Sequence, residues 1–201
     1  MNLTTVEGPY MYNAVIDFTD VNPPLPINPV INEEKTKQYH VPIRINDRQQ
    51  PFVHRSIVDC DNMIQINKWT KDFIYDIILP KLNEHEHFKY YHTQPLSFIK
   101  DNIIIGSTLI KDSVGFSQAI HTDPHHTVLA GVVHLQDAID CGTTFYAHNP
   151  NTGEWTQKHQ SPSKKFSGSV WGNMPNSWHG VPVTTSERLI YLINCIWKLN
   201  Y

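Results

Sequence analysis

Arg188-Leu189-Ile190-Tyr191-Leu192-Ile193-Asn194-Cys195-Ile196-Trp197 is the stretch on which the fold turns. Side chains alternate across a strand. Arg188, Ile190, Leu192, Asn194 and Ile196 therefore share one face, and Leu189, Tyr191, Ile193, Cys195 and Trp197 share the other. Both faces are largely apolar, the pattern of a strand with an interior under one side and an outer layer over the other. If Arg188 faces the interior, its charge lies beside Ile190 and Leu192. Glu187 points away by alternation. A buried arginine without a counter-ion is costly, so this reading calls for an anion.

Upstream of this strand, the text reads as strand and turn at residues 90–98, 102–110, 126–135, 143–147, 155–160, 169–173 and 178–183. Many short strands in series are the mark of a double-sheet jelly roll. Before them, residues 61–79 change period: Ile66, Trp69, Phe73 and Ile77 recur at helical spacing, and Ile74 and Ile78 widen the stripe. Asp61 or Asn62 could cap this helix, and Pro80 should end or kink it. Residues 1–60 read as an extended front segment. In it, 14–18 form a short strand, and 41–45 and 52–58 could add strands at the edge of the main sheet. Pro23, Pro24, Pro26 and Pro29 exclude helix or central strand from 21–29, which is expected to lie as an arm against the domain. The division expected is thus one domain over 1–201: front segment 1–60, supporting helix 61–83, and jelly-roll catalytic core 88–199.

Two further segments carry chemistry. Ala119-Ile120-His121-Thr122-Asp123-Pro124 offers an imidazole and a carboxylate, and Ser177-Trp178-His179-Gly180-Val181 a second imidazole. Two histidines and one carboxylate on one side of an ion form the facial triad of non-haem Fe(II) oxygenases, which leaves neighbouring positions open. His179 follows His121 by 58 positions (179 minus 121), and Arg188 follows His179 by 9 (188 minus 179). An arginine placed there could hold the far carboxylate of a chelating acid by a two-pronged, charge-assisted contact.

This ordered set resembles the 2-oxoglutarate- and Fe(II)-dependent dioxygenases. Val132-Val133-His134-Leu135, followed by Gly142-Thr143-Thr144-Phe145-Tyr146, is most similar to the prolyl-4-hydroxylase-like branch. The resemblance covers roughly residues 100–199. It implies a mainly β double-stranded β-helix (jelly roll, cupin-like) with an N-terminal extension and at least one outer supporting helix. It also implies an enzyme with His121, Asp123 and His179 on Fe(II) and Arg188 on 2-oxoglutarate. The reaction implied is hydroxylation of an aliphatic carbon in a peptide, amino acid or other small molecule, with O₂ consumed and succinate and CO₂ released. No catalytic residue beyond the metal ligands is implied.

Two positions depart from the resembled pattern. The related hydroxylases often carry a tyrosine nine or ten positions before the first ligand, where this chain has Asp112 and Lys111, and the residue two past the arginine, often Ser or Thr in other branches, is Ile190. The hydroxyl partner of the distal carboxylate is thus unidentified. His126, Thr143, Tyr146, Trp171, Trp178 and Asn194 are candidates for contacting substrate or supporting the ligands. His125, His126, His134, His148 and His159 leave a differently composed metal site open. Functional alternatives are a jelly-roll module that binds metal without turnover, or a Zn²⁺ hydrolase. An alkylated-nucleic-acid demethylase ranks below these: that branch has a second arginine six positions after the first, where this chain has Asn194.

Composition bounds the partners. With 201 residues, a net charge of -3 and 17% charged residues, the chain carries no basic run of the kind that tracks a phosphate backbone. Cys60, Cys141 and Cys195 form no paired framework, which points to a reducing compartment. No basic stretch followed by an apolar core opens the chain, and no apolar run approaches the roughly 20 residues of a membrane helix. A cytoplasmic protein acting on a small molecule or peptide is the expectation, away from membrane and nucleic acid.

Overall fold

The structure is a computed structural model and describes residues 2–8, 11–20, 31–41, 44–45, 48–49, 53–60 and 63–198. The proline-rich segment 21–29 and the two candidate helix caps, Asp61 and Asn62, lie outside the described residues.

Six strands precede the long helix: β1 (Asn2–Gly8), β2 (Met11–Phe18), β3 (Ile31–Val41), β4 (Arg44–Ile45), β5 (Arg48–Gln49) and β6 (Val53–Cys60). Eight follow the helices: β7 (Ile103–Asp112), β8 (Gln118–His121), β9 (Thr127–His134), β10 (Thr144–Asn149), β11 (Glu154–Gln160), β12 (Gly168–Gly172), β13 (His179–Val181) and β14 (Arg188–Trp197). The large sheet runs β1-β2-β12-β9-β14-β7-β6-β3 and the small one β11-β10-β13-β8, while β4 and β5 pair with each other. All pairings are antiparallel. From β7 onward the chain crosses between the sheets. β7, β9, β12 and β14 enter the large sheet and β8, β10, β11 and β13 the small one. That winding is a double-stranded β-helix, a jelly roll.

The two faces of β14 pack as their composition requires. Ile190 joins Ala130, Val132, Phe145 and Trp171 in a core between the sheets. Tyr191, Ile193 and Cys195 face outward with Leu129 and Val133, under the helix. Helix α1 (Met63–Asp72) continues through a π-helical segment (Phe73–Ile78) into α2 (Leu79–Leu82). Ile66, Phe73, Ile74 and Ile78 are buried against the outer face. Phe73 stacks on Trp69 at 4.8 Å. Thr70 Oγ1 and Tyr191 OH lie 2.6 Å apart, joining helix to sheet.

Pro80 does not end the helix where its ring would suggest. An α-helical proline clashes with the carbonyl four residues back. Here the preceding turn is wider, and the Leu79 N–H bonds the Ile74 carbonyl five residues back, so one more turn forms.

A second expectation is corrected. Residues 90–98 are not a strand: α3 (Glu86–Tyr91) and α4 (Leu96–Asn102) occupy this region. Tyr90, Tyr91 and Phe98 have high strand propensity, but that propensity reflects fit to a half-buried sheet. These rings are exposed, and only Phe88 and Ile99 of the two helices are buried. Pro95, extended at φ -57° and ψ 148°, starts the second helix. Of the two stretches expected at the edge of the main sheet, 52–58 supplies β6, which pairs β7 with only β3 beyond it, whereas Arg44–Ile45 pairs β5 outside that sheet; the strand at 14–18 lies within it, β2 pairing β12. The turn at Gly142 is tight: a Cβ there would lie 1.9 Å from the Ser161 carbonyl oxygen.

Candidate metal centre and its cavity

His121 ends β8, and Pro124 follows three residues later. Proline biases its predecessor toward extended backbone, which places Asp123 in the turn leading to β9. His179 opens β13 and is paired in register with His121. A two-strand match in the small sheet thus joins residues 58 positions apart in sequence (179 minus 121).

One ligand atom each from His121, Asp123 and His179 lies within 4.8 Å of the others. The imidazole rings are 4.4 Å apart, and His179 Nε2 is 3.6 Å from Asp123 Oδ2. That exceeds hydrogen-bond length, yet suits two atoms sharing one ion: ligands at about 2.1 Å and right angles are about 3 Å apart. Each imidazole is oriented alike. Nδ1 of His121 donates to the Ala119 carbonyl and Nδ1 of His179 to the Ser177 carbonyl, both at 2.9 Å. A carbonyl can only accept, so Nδ1 holds the proton and each Nε2 keeps its lone pair, the tautomer a metal requires. Burial pushes His179 below the ordinary histidine pKa, against a smaller upward pull from Asp123. The neutral ring suits coordination.

Support for this set comes from residues carrying no motif. Trp171 donates Nε1–H to Asp123 Oδ2 at 3.2 Å, and its ring lies 4.8 Å from that of His179. Asn173 gives its amide protons to the carbonyls of Pro124 and Thr127, at 3.0 and 3.1 Å, and accepts from Ser177 Oγ at 3.0 Å. It thereby ties both ligand-bearing turns together. Nothing in its sequence position marks Asn173, because asparagine near a turn is commonplace. Exchanging Trp171 for Phe keeps the ring and removes the N–H. The affinity of the set for an added divalent metal is expected to fall about tenfold, as for other groups that orient a ligand, with the fold unchanged by circular dichroism.

His121, Asp123 and His179 border a cavity of about 180 Å³, on the order of six waters at roughly 30 Å³ each. Thr143, Trp171 and Asn194 line it, as do Ile190 and Leu192. His126, Tyr146 and Trp178 do not. Phe145 and Ala147 are buried, so by alternation Tyr146 faces out. Trp178 packs edge-on against Trp155 at 5.1 Å, and the His126 ring lies against His125.

Arg188 lines the cavity and is 1% exposed, so its inward orientation is as expected. The expectation that it has no counter-ion within the chain is overturned. Nε donates to Asp112 Oδ2 at 2.7 Å and Nη1 to the Cys141 carbonyl at 2.9 Å. Asp112, the residue standing where the tyrosine was missed, faces Arg188 across the β7–β14 register. Its carboxylate also takes two bonds from Arg55, Nε to Oδ1 at 2.7 Å and Nη2 to Oδ2 at 3.1 Å. The need for a counter-ion is met from within the chain, in part, by a carboxylate shared between two arginines.

His134 sits behind this group, buried and, among the described residues, without a hydrogen-bond partner on either ring nitrogen. Burial, with a smaller contribution from the Arg188 charge, pushes its pKa down from 6.5 to about 3. The unfolded chain thus binds a proton below about pH 6.5 that the folded chain refuses until about pH 3. His134 therefore withdraws stability as pH falls through that window, by about 1.4 kcal/mol per pH unit at most. Urea unfolding at pH 7 and pH 5 is expected to show a smaller loss in His134→Leu than in wild type.

No protein-family model and no curated protein matches the sequence. Solved structures do. One is an oxidoreductase of the 2OG-Fe(II) oxygenase family from Burkholderia pseudomallei, 9% identical, with 82% of this chain and 75% of that chain covered and a TM-score of 0.48. A prolyl-4-hydroxylase from Pseudomonas putida is 13% identical, with 84% and 79% covered and a TM-score of 0.48. The viral collagen prolyl hydroxylase from Paramecium Bursaria Chlorella virus-1 is 13% identical, with 80% and 79% covered and a TM-score of 0.43.

Proposed function

We propose that this protein is an Fe(II)- and 2-oxoglutarate-dependent dioxygenase that hydroxylates an aliphatic carbon of a peptide, amino acid or other small molecule. One observation carries the reading: a His-Asp-His set with both Nε2 atoms unprotonated, that of His121 accepting from the Gln118 amide at 3.2 Å, borders a cavity lined also by two arginines.

The donor set fits a first-row divalent metal that keeps open positions. His121 and His179 would supply neutral nitrogen and Asp123 an anionic oxygen, with Trp171 fixing the carboxylate. These residues would hold Fe(II), which together with 2-oxoglutarate would supply the activation of O₂ that an unactivated C–H bond needs. The chain's part is placement. Arg188 would hold the distal carboxylate of the acid, leaving its 2-oxo head toward the histidines. Ile190 and Leu192, on the same face of β14, give an apolar wall that limits water around the chelating head. Thr143, which lines the cavity just ahead of β10 of the small sheet, would be the hydroxyl available to the acid. Trp171 and Asn194 would meet the substrate side.

A second reading is favoured by one bond. Because Asp112 already engages Arg188, a metal-binding jelly roll without a co-acid is chemically coherent, whether inert or loaded with Zn²⁺. Anaerobic titration of the metal-free protein separates the two. Fe(II) followed by 2-oxoglutarate is expected to raise the visible charge-transfer band of a chelated complex. Fe(II) binding without that band would remove the co-substrate assignment and leave the metal-binding module.

A further inference from the structure

We infer that Arg55, far upstream on β6, completes the anion site: it gives the Arg188 end of the cavity its net positive charge and, with Arg188, receives the distal carboxylate of the acid. This inference rests on the co-substrate reading above.

Charge counting leads there. Arg188 and Asp112 alone sum to zero, and a neutral, hydrogen-bonded pair has little pull on a further carboxylate. Arg55 also lines the cavity and bonds the same carboxylate. With two guanidinium groups and one carboxylate, the cluster carries one net positive charge among the described residues, the complement of one carboxylate tail. Donors remain as well. Arg188 uses Nε and Nη1 and Arg55 uses Nε and Nη2. Arg188 Nη2 and Arg55 Nη1 make no bond among the described residues. Both guanidinium groups lie over the Phe116 ring, at 4.2 Å for Arg55 and 5.3 Å for Arg188. Phe116 and Asp112 thus hold two like charges side by side, which is the form of a two-pronged carboxylate clamp. Asp112 acts as the brace: it limits repulsion between the arginines and leaves the site half-neutralised, suited to release as well as capture.

The rival account is that Arg55 merely latches β6 to β7. The two are separated by comparing acids that share a chelating head. 2-Oxoglutarate ends in a carboxylate and 2-oxopentanoate in a methyl group. Both are titrated anaerobically into Fe(II)-loaded wild type, R55Q and R55K, reading the charge-transfer band. Wild type is expected to prefer 2-oxoglutarate. In R55Q the 2-oxoglutarate Kd rises about 10- to 100-fold, the range for charge-assisted hydrogen bonds, while that of 2-oxopentanoate stays within about twofold. R55K keeps the charge and therefore most of the preference. Three results overturn the inference alone: R55Q binding 2-oxoglutarate like wild type, R55Q weakening both acids equally, or R55K losing the preference as fully as R55Q. A wild type that forms no band with either acid brings down the co-substrate reading itself, and this inference with it.

Discussion

Alanine at position 179 is expected to abolish the Fe(II)-2-oxoglutarate absorption band and to weaken Fe(II) binding by more than about 100-fold, beyond the 10- to 100-fold typical of residues that only orient a ligand. The size follows from the geometry. Among the described residues His179 is one of three that could hold the ion together, and its loss leaves an imidazole and a carboxylate with no third arm to close the face. Neighbouring imidazoles do not substitute, because His126 and His125 pack against each other and His148 stacks on Trp155. The ring is 4% exposed beside Trp171 and Phe145, so alanine also leaves a void, and His179→Gln serves as the volume-matched control. Equilibrium dialysis reads the affinity. Melting with and without metal reads it again: a ligand that binds only the folded chain raises the midpoint by mass action, and that rise should vanish in both variants. Wild-type affinity in His179→Ala would move the metal to another set of histidines and remove the argument built on this triad.

Much of this centre was legible in the chain because its parts are local patterns. His-x-Asp before a proline, a second histidine opening a later strand, and the two apolar faces of 188–197 each depend on neighbours within a few residues. The winding of 102–197 into two sheets follows from those alternations. The helical region at 86–102 was misread because aromatic residues carry strand propensity whether or not a sheet is there to cover them. Arg55 and Asn173 were invisible for another reason. Arg55 meets Asp112 across 57 positions, and Asn173 bridges two turns. Neither role leaves a periodicity or a spacing. Asp112 lies between these cases: its position was marked as a departure, but only the β7–β14 register places it opposite Arg188.

Asparagine at 112 should be among the most destabilising single-atom exchanges in the protein. The Asp112 side chain is fully buried and accepts three charged hydrogen bonds, at 2.7, 2.7 and 3.1 Å. An amide of the same shape offers one acceptor, turns an NH₂ toward guanidinium donors, and removes the charge that keeps Arg55 and Arg188 from repelling each other. Breaking a buried pair by removing one partner costs about 3–5 kcal/mol. Arg55, with 18% of its side chain exposed, is partly screened by solvent, so the lower end of that range is expected. The loss would appear as a lower urea midpoint at unchanged slope. The pair Asp112→Asn with Arg55→Gln should recover part of it, because one fewer cation is buried, and that non-additivity reports the coupling directly. Glutarate sharpens the test. It carries the distal carboxylate without the chelating head, and it should raise the midpoint of Asp112→Asn more than that of wild type, by supplying the missing charge from the cavity. A loss under about 1 kcal/mol, the scale of an exposed ion pair, would mean that solvent rather than Asp112 compensates the arginines.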